Sequence, residues 1–443
     1  MDSEKQSSQS FGDFLFPKIF QTFRMAIQPS KLIIAFAAVA VICLAGWIMD
    51  SGNTVIAGSD GTTELQVYLG DPGRVPLFIE TNQGLKSERR GVFSTMWHFA
   101  ATKFHGLLTA LFAFDIGGIK ANILEYCRAT TWAFRYHPVY CAILGVIKLA
   151  VISIAGGSLC RIAALQFARD EKPGLTEAVR FSAGKFWSLF TAPLAPLGIT
   201  VFIGLFIFFL GLICNIPRAG ELITAIFVPL ALIAGGLIAI LLIGTVAGFN
   251  LMFPAVAYDG SDCFDAVSRA FSYVYGKPWR MAFYTAIAAV YGAICYAFVR
   301  FFTFLLLWVA RWSLELGIWV DNSSKEAGKL TALWPPPGFM NLPGSSSLST
   351  VNWSEWVAAF LINLVLLAVI GLLVSFIISF YFSANTIIYA LMRNRVDNTA
   401  LEDIYTPSEA AQAEPATPPA AESESQESKA ETETPPDSVS PPE

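Results

Sequence analysis

Six long runs of apolar residues, separated by polar segments, dominate the pattern of the chain. They cover residues 32–48, 139–159, 187–213, 222–248, 281–309 and 356–381. A helix rises about 1.5 Å per residue, so about 20 apolar residues cross a hydrocarbon layer about 30 Å thick. The runs lack the apolar/polar alternation of membrane-barrel strands. The pattern predicts an all-α, polytopic membrane protein with about six transmembrane helices.

Residues 92–114 form a weaker, seventh apolar candidate. This stretch contains His98, Lys103 and His105, and charged side chains are costly to bury in lipid. We therefore predict a partly buried or interfacial helix here rather than a further crossing.

Lysine and arginine residues cluster beside the ends of the predicted spans. The clusters consist of Lys18, Arg24 and Lys31; Arg161, Arg169, Lys172, Arg180 and Lys185; Arg269, Lys277 and Arg280; and Arg393 and Arg395. Positively charged segments near span ends favour the cytoplasmic side. An even number of spans places all four clusters on that side. The pattern predicts a bacterial cytoplasmic (inner) membrane protein whose N- and C-termini are both cytoplasmic.

The spans and charges divide the chain into five regions. They are a cytoplasmic amphipathic segment at 1–31, a transmembrane helix at 32–48, an extracytoplasmic segment with interfacial helices at 49–138, a helical membrane core at 139–395 that includes an outer loop at 313–355, and an acidic, disordered cytoplasmic tail at 396–443. Within the extracytoplasmic segment, the turn-forming Asp71-Pro72-Gly73 predicts two short strands on its flanks.

Composition agrees with a membrane protein and argues against nucleic-acid binding. Of 443 residues, 54% are hydrophobic and 14% are charged, whereas soluble domains carry about 25% charged residues. Nine acidic residues and one lysine follow Tyr405, which gives that tail a charge of −8. Subtracting it from the net charge of −5 leaves the body at about +3. Aromatic residues lie in the apolar runs and not within a basic patch, so no nucleic-acid partner is expected.

Residues with catalytic or metal-binding chemistry form no familiar pattern. The seven cysteines contain no CxxC pair, and most lie in or beside apolar runs, where a thiol packs as a small hydrophobe. The three histidines lack the spacing of a zinc site. Phosphate-loop, dinucleotide, nucleophile-elbow and HExxH motifs are absent from the sequence. We predict no cofactor, no metal and no enzymatic activity.

Two basic residues inside apolar runs are candidates for intramembrane function. Lys148 lies in the middle of the second run, and Arg300 lies in the fifth. An ionisable residue in a membrane helix suggests a substrate or ion site. A lysine can also extend along its helix to the headgroups, and Arg300 sits far enough along its run to reach the outer interface. Both interpretations stay open at this stage.

Two glycine pairs are candidates for close helix packing. Gly156-Gly157 and Gly235-Gly236 each lie within or beside an apolar run. Small residues let the backbones of membrane helices approach each other. A broken-helix substrate site is the sharper alternative, because transporters build such sites from interrupted helices.

A short unit recurs before several spans. In the clearest copies, Asp170 and Asp259 each lead into an amphipathic helix, which ends at Gly184-Lys185 or at Gly276-Lys277. Asp115 begins a looser third copy. We predict interfacial helices here, with Trp187, Lys277, Trp279 and Arg280 as anchors at the headgroup level.

The sequence resembles an uncharacterised group of bacterial multi-pass membrane proteins of the planctomycete-like kind. The stretches AGGSLCRIAALQFARDEKPGLTEAVRFSAGKFW, DCFDAVSRAFSYVYGKPWR and IIYALMRNRVDNTALEDIY carry the resemblance, over about residues 138–405. It implies an inner-membrane location and no known activity.

Two functions follow from these observations. The leading one is a non-enzymatic membrane scaffold or accessory subunit, whose partners are the lipid bilayer and either another membrane protein or a second copy of the chain. The alternative is a small-molecule or lipid transporter that uses Lys148 and the glycine positions.

Overall fold

A computed structural model describes residues 16–52, 54–58, 61–82, 89–318, 329–344 and 353–406 of the chain. The chain divides into two units, Met1–Ile404 and Tyr405–Glu443, and only the first two residues of the second unit are described. Most of the predicted acidic tail therefore lies outside the described residues.

Helices make up most of the described chain, as the apolar runs predict. They are α1 (Thr22–Ala26), α2 (Pro29–Asp50), α3 (Glu64–Gly70), α4 (Val75–Asn82), α5 (Val92–Phe112), α6 (Ile116–Tyr136), α7 (Pro138–Arg169), α8 (Leu175–Gly184), α9 (Phe186–Thr191), α10 (Ala195–Cys214), α11 (Ala219–Asp259), α12 (Cys263–Gly276), α13 (Pro278–Gly317), α14 (Lys329–Leu333) and α15 (Trp353–Val396). Short 3₁₀ helices cover Phe16–Gln21 and Pro72–Arg74. Strands β1 (Val55–Ile56) and β2 (Arg89–Arg90) pair antiparallel.

Six described helices are long and apolar enough to cross a membrane, which confirms the predicted number of spans. They are α2, α7, α10, α11, α13 and α15. Helix α5, which covers the weaker candidate at 92–114, is not among them. The fold is thus the predicted all-α, multi-pass arrangement.

Three of the long helices continue well past their apolar runs. Helix α7 ends at Arg169, α11 at Asp259 and α15 at Val396, whereas their runs end at 159, 248 and 381. The most buried parts of the bundle are residues 155–166, 251–258 and 382–393, which lie at or beyond those run ends. We call these three packed helix ends the hub, and the two ends of the bundle the hub end and the far end.

The N-terminal segment packs into the bundle instead of lying apart from it. Ile19 and Met25 are almost completely buried. Phe23 meets the ring of Phe376 on α15 with 5.9 Å between centroids, and Ser379 donates a hydrogen bond of 2.8 Å to the Ala26 carbonyl. The described part of the predicted amphipathic segment is therefore an integral part of the helix packing.

The prediction of two strands around Asp71-Pro72-Gly73 is wrong, because helices α3 and α4 flank this turn. Thr63 and Gln66 form a capping box at the start of α3, with the Thr63 N–H 2.8 Å from the Gln66 side-chain oxygen. A capping box satisfies backbone donors that are otherwise unpaired at a helix start. The Asp71 carboxylate then accepts from the Gly73 N–H at 3.0 Å and opens the next turn.

These short helices form a small lobe at the far end. Val55, Leu65, Val75 and Trp132 are buried together and join α3 and α4 to α5 and α6. Asp50, the last residue of α2, ties the lobe to the bundle. Its carboxylate accepts from the backbone N–H groups of Phe93 and Ser94 at 2.9 and 2.8 Å, at the start of α5. Carboxylates at a helix N-terminus are favourable because they meet unpaired donors and the positive end of the dipole.

Candidate functional site

The three helices of the hub end in the same backbone conformation. Asp170 after α7, Gly260 after α11 and Asn398 shortly after α15 have φ of 54°, 64° and 55°. This left-handed conformation closes a helix, and glycine, asparagine and aspartate tolerate it best. The predicted repeat therefore has a structural counterpart, in which a long helix stops at a left-handed residue.

A lysine caps each of two helix ends in the hub. Lys185, which follows α8, donates a 2.7 Å hydrogen bond to the Gly260 carbonyl at the end of α11. Lys277, which follows α12, donates to the Arg395 carbonyl near the end of α15. Cations at a helix C-terminus satisfy free carbonyls and offset the negative end of the dipole. The lysine that follows α8 thus caps α11, and the lysine that follows α12 caps α15.

Asp259 is the electrostatic centre of the hub. Its side chain is only 5% exposed, and its two oxygens lie 3.0 Å from Arg269 and 3.1 Å from Arg393. Tyr389 also donates its hydroxyl hydrogen to the Asp259 carboxylate. A buried carboxylate is costly unless cations and donors surround it. Two helices, α12 and α15, supply these partners to Asp259 at the end of α11.

Residues that follow α15 close the hub from outside. Arg393 donates to the carbonyl of Asp403 at 2.6 Å, and the Tyr258 hydroxyl donates to the Leu401 carbonyl. Tyr273 donates a 2.5 Å hydrogen bond to the Asp397 carboxylate. Ile404 is 3% exposed in the same core. The segment 397–404 is therefore bonded across the ends of the hub helices, and we call it the strap.

Two groups of the hub, Arg269 and Tyr273, have pKa values shifted upward. Burial alone lowers the pKa of Arg269, but the carboxylates of Asp259 and Asp265 outweigh it and raise that pKa above its ordinary value. Burial, and then the hydrogen bond to Asp397, raises the pKa of Tyr273, so this phenol stays protonated. A permanently charged arginine and a permanently neutral phenol suit a structural lock better than proton transfer, which needs a pKa near the working pH.

The structure describes no group of three or more histidine, cysteine, aspartate or glutamate side chains that could hold a metal ion, within the ranges given above. No known protein family, curated protein or solved structure matches the chain. The resemblance drawn from the sequence therefore remains a prediction, and the contacts of this chain alone carry the functional argument.

Lys148 lies at the interface of α2, α5 and α7. Its ammonium sits over the ring of Phe93, 5.6 Å from the centroid, and the side chain is half-buried. Phe93 is the second residue of α5 and is close to Asp50 at the far end of α2. Lys148 thus extends toward the far end, with a cation–π contact.

Arg300 holds a loop against the far half of α13. It donates to the carbonyls of Phe339 and Met340, both at 3.0 Å, and lies 2.7 Å from the Tyr296 hydroxyl. His105 of α5 is also 2.7 Å from this guanidinium. These contacts bring together residues from α5, α13 and the 335–344 loop. Both intramembrane candidates therefore make contacts that organise the fold.

The two glycine pairs occupy different surroundings. A Cβ atom on Gly156 would lie 2.6 Å from the Phe382 ring, and one on Gly157 would lie 2.5 Å from Leu189. A Cβ atom on Gly235 or Gly236 would meet nothing within 4 Å. The first pair packs within the chain, as the sequence suggests. The second pair packs against no described residue, so any close contact there has to come from outside the described part of the chain.

The predicted interfacial anchors lie on the surface near the hub. Trp187 is 72% and Trp279 is 88% exposed, while Arg280 is half-buried. Lys277 is the exception, since its ammonium caps α15. Exposed tryptophans suit the headgroup level of a bilayer, where one part of the ring is apolar and the other polar.

Sequence patterns miss Lys31, the most deeply buried cation of the bundle. It is fully buried in the first turn of α2 and donates a 3.1 Å hydrogen bond to Ser383 of α15. In the sequence it appears only as one of several basic residues before the first run. Serines on three successive turns of α15, at positions 375, 379 and 383, are the one signal of a polar stripe that could receive it.

The far-end lobe contains a buried acid and a buried histidine side by side. Trp132 donates a 3.2 Å hydrogen bond to Glu64, and Nε2 of His137 lies 4.0 Å from the same carboxylate oxygen. Burial raises the pKa of Glu64 and lowers the pKa of His137. Each group is thus held toward its neutral form, because desolvation penalises charge.

Acidification is expected to loosen the far-end lobe. His137 titrates lower in the folded state than in the unfolded chain, so folding stability falls as the pH drops below its ordinary pKa of 6.5. The loss grows as the pH falls further below this value. Hydrogen exchange of the backbone around Trp132 in the detergent-purified protein measures it. His137→Phe should remove the acid response. Glu64→Gln should enlarge it, because the raised pKa of Glu64 adds stability as the pH falls and this opposing effect is lost. An unchanged response in both variants would contradict this assignment.

Proposed function

We propose that this protein is a non-enzymatic scaffold or accessory subunit of a bacterial inner membrane, with its hub on the cytoplasmic side. In this proposal the bundle presents helix surface to a membrane-embedded partner, which is another membrane protein or a second copy of the chain. The hub keeps the helices in a fixed arrangement, and both termini lie at its side of the membrane.

The use of charge in the described chain supports this proposal. Asp259 binds two arginines, Arg300 binds a loop, and Lys148 sits on an aromatic ring. A carrier for polar solutes needs charged or polar groups that face a path through the membrane. Here such groups hold helix ends and loops together. The alternative of a transporter built on Lys148 therefore receives less support.

A hairpin with little internal packing supports the idea of a membrane partner. Helices α10 and α11 form this hairpin, and between Gly220 and Gly244 no residue of α11 is buried. Leu232 is 71% and Phe202 is 77% exposed. Gly235 and Gly236 lie on this hairpin without a neighbour within 4 Å of an added Cβ. Exposed small residues allow a second helix to approach closely in lipid.

A photo-crosslinking amino acid at Leu232 is expected to capture this partner in native membranes. The product should migrate as a discrete species, at twice the 48.2 kDa mass of the chain for a self-association. Gly235→Leu should abolish the product while leaving the fold intact, because the added side chain meets open space in this chain but blocks close helix approach.

The matched control carries the same crosslinker at Phe298, an exposed position on α13. It should give no discrete product, or a product that is insensitive to Gly235→Leu. If the crosslinker at Leu232 yields only lipid adducts, the scaffold proposal fails. Flux of a solute in proteoliposomes that depends on Lys148 would instead favour the transporter.

A further inference from the structure

A cavity of about 290 Å³ lies between α5, α11, α13 and α15. Its walls come from parts of the chain that are more than a hundred residues apart, including Phe104–Leu111 on α5 and Thr285–Tyr296 on α13. Most of the lining side chains are apolar, as in binding sites for apolar ligands.

The depth of the cavity follows from the helices that line it. Its α13 wall lies inside the apolar run at 281–309, and its α15 wall, residues 376–388, begins inside the run that ends at 381. Helices α13 and α15 contact each other over this stretch, with the rings of Tyr291 and Phe380 5.8 Å apart. The cavity therefore occupies the hydrocarbon layer and opens toward its boundary at the hub end.

Small residues create the space. Ala288, Ala289, Gly292 and Ala293 form the α13 wall, opposite leucines of α5. Gly292 lets the Phe380 ring approach, since a Cβ atom there would lie 2.7 Å from it. An apolar space between membrane helices suits a hydrocarbon chain.

Polar groups are confined to the two ends of the cavity. At the far end, the Tyr296 hydroxyl is engaged by Arg300 and lies 3.3 Å from His105. At the hub end, Tyr381 donates to the side-chain oxygen of Asn250, and the Asn385 side-chain amide donates to the Tyr381 backbone carbonyl at 2.9 Å. Asn385 is only 6% exposed.

We infer that this cavity is a binding site for an acyl lipid of the bilayer. One acyl chain fills the apolar space, and the glycerol-ester region sits at Asn250 and Asn385, which lie just beyond the apolar runs at 222–248 and 356–381. The free amide N–H groups of Asn250 can donate to an ester carbonyl, and the Asn385 oxygen can accept from a hydroxyl. This site is independent of the scaffold proposal, because the cavity is lined by none of the hairpin residues at 195–243.

Filling the cavity tests the inference. Ala289 lines the cavity and is exposed, so Ala289→Trp occupies the space at little cost to the core. Ala286→Trp is the matched control, since Ala286 is exposed on the same helix and does not line the cavity. The full chain is purified in mild detergent, and its bound lipid is measured by native mass spectrometry. Wild type and Ala286→Trp should retain an acyl lipid that Ala289→Trp loses.

A second variant tests the same inference if Ala289→Trp fails to fold. Asn385→Leu keeps the branched shape of the side chain but removes its polar end, and it should release the lipid during washing that leaves wild type loaded. Re-addition of a phospholipid or of free palmitate to the delipidated protein distinguishes the two sources of an acyl chain. Equal lipid retention by wild type and the folded variants, or none by wild type, overturns the inference.

Discussion

Replacing Asp259 with alanine is expected to destabilise the hub more than any other single loss of charge. The change leaves Arg393, whose side chain is 10% exposed, without its buried counter-charge. Breaking a buried ion pair costs about 3–5 kcal/mol. The lower end of that range applies, because Arg269 is 36% exposed and can recover contact with water. Thermal unfolding of the detergent-purified full chain, followed by size exclusion, measures the effect.

Asp265→Ala is the matched control for this experiment. Asp265 contacts the same arginine, with its oxygen 3.0 Å from Arg269 Nε, but its side chain is 49% exposed. Exposed ion pairs contribute about 0–1 kcal/mol, so this variant should unfold close to wild type. Equal unfolding temperatures for the two alanine variants would show that Asp259 is not the electrostatic centre of the hub.

Gly157→Leu is expected to be the second most destabilising change. A Cβ atom at this position would lie 2.5 Å from Leu189 and 2.8 Å from the Ser182 hydroxyl, so α8 and α9 have to move away from α7. Forcing a larger side chain into a packed core costs about 1–3 kcal/mol, and more where the neighbours cannot yield. The unfolding midpoint of the purified chain should fall accordingly.

Gly236→Leu provides the comparison, because an added Cβ atom there meets nothing within 4 Å. Both variants add the same side chain to a membrane helix. Their difference in stability therefore isolates packing within the chain from the change in helix propensity. A Gly157→Leu protein as stable as Gly236→Leu would mean that α8 and α9 are not held against α7.

The spans were predictable because membrane crossing depends on local composition. A run of apolar residues identifies a helix wherever lipid surrounds it, as for α10 and α11. The ends of the helices were less predictable. Helix α11 continues to Asp259 although its apolar run stops at 248, because residues 251–258 are buried by other helices. That burial depends on tertiary packing, which leaves little signal in hydropathy.

The local sequence pattern gave a wrong secondary-structure prediction on either side of the turn at Asp71. The turn at Asp71 was recognised correctly, but its flanks were assigned to strands on the strength of β-branched and aromatic residues. The capping box of Thr63 and Gln66 decides for a helix. This signature was present in the sequence and outweighs a weak strand preference over short segments.

The contacts that define the candidate sites could not be predicted from the sequence. Asp259 meets Arg393 across 134 positions, and His105 meets Arg300 across 195. Single-sequence patterns reveal neighbours on one helix, such as Asp265 and Arg269, but not pairs that the fold brings together. The recurring aspartates and lysines gave the only hint, since they marked where each helix end would lie.

The strap at 397–404 has a consequence for the order in which the protein is made. Translation delivers α7 and α11 long before Tyr389, Arg393 and Asp403 emerge. Until then Asp259 has only Arg269 beside it, and the apolar ends of both helices lack a cover. The contacts around Asp259 are therefore completed in one late step. A chain whose synthesis stalls before residue 383 has an exposed apolar surface. Membrane proteases and chaperones can distinguish this surface from the finished protein.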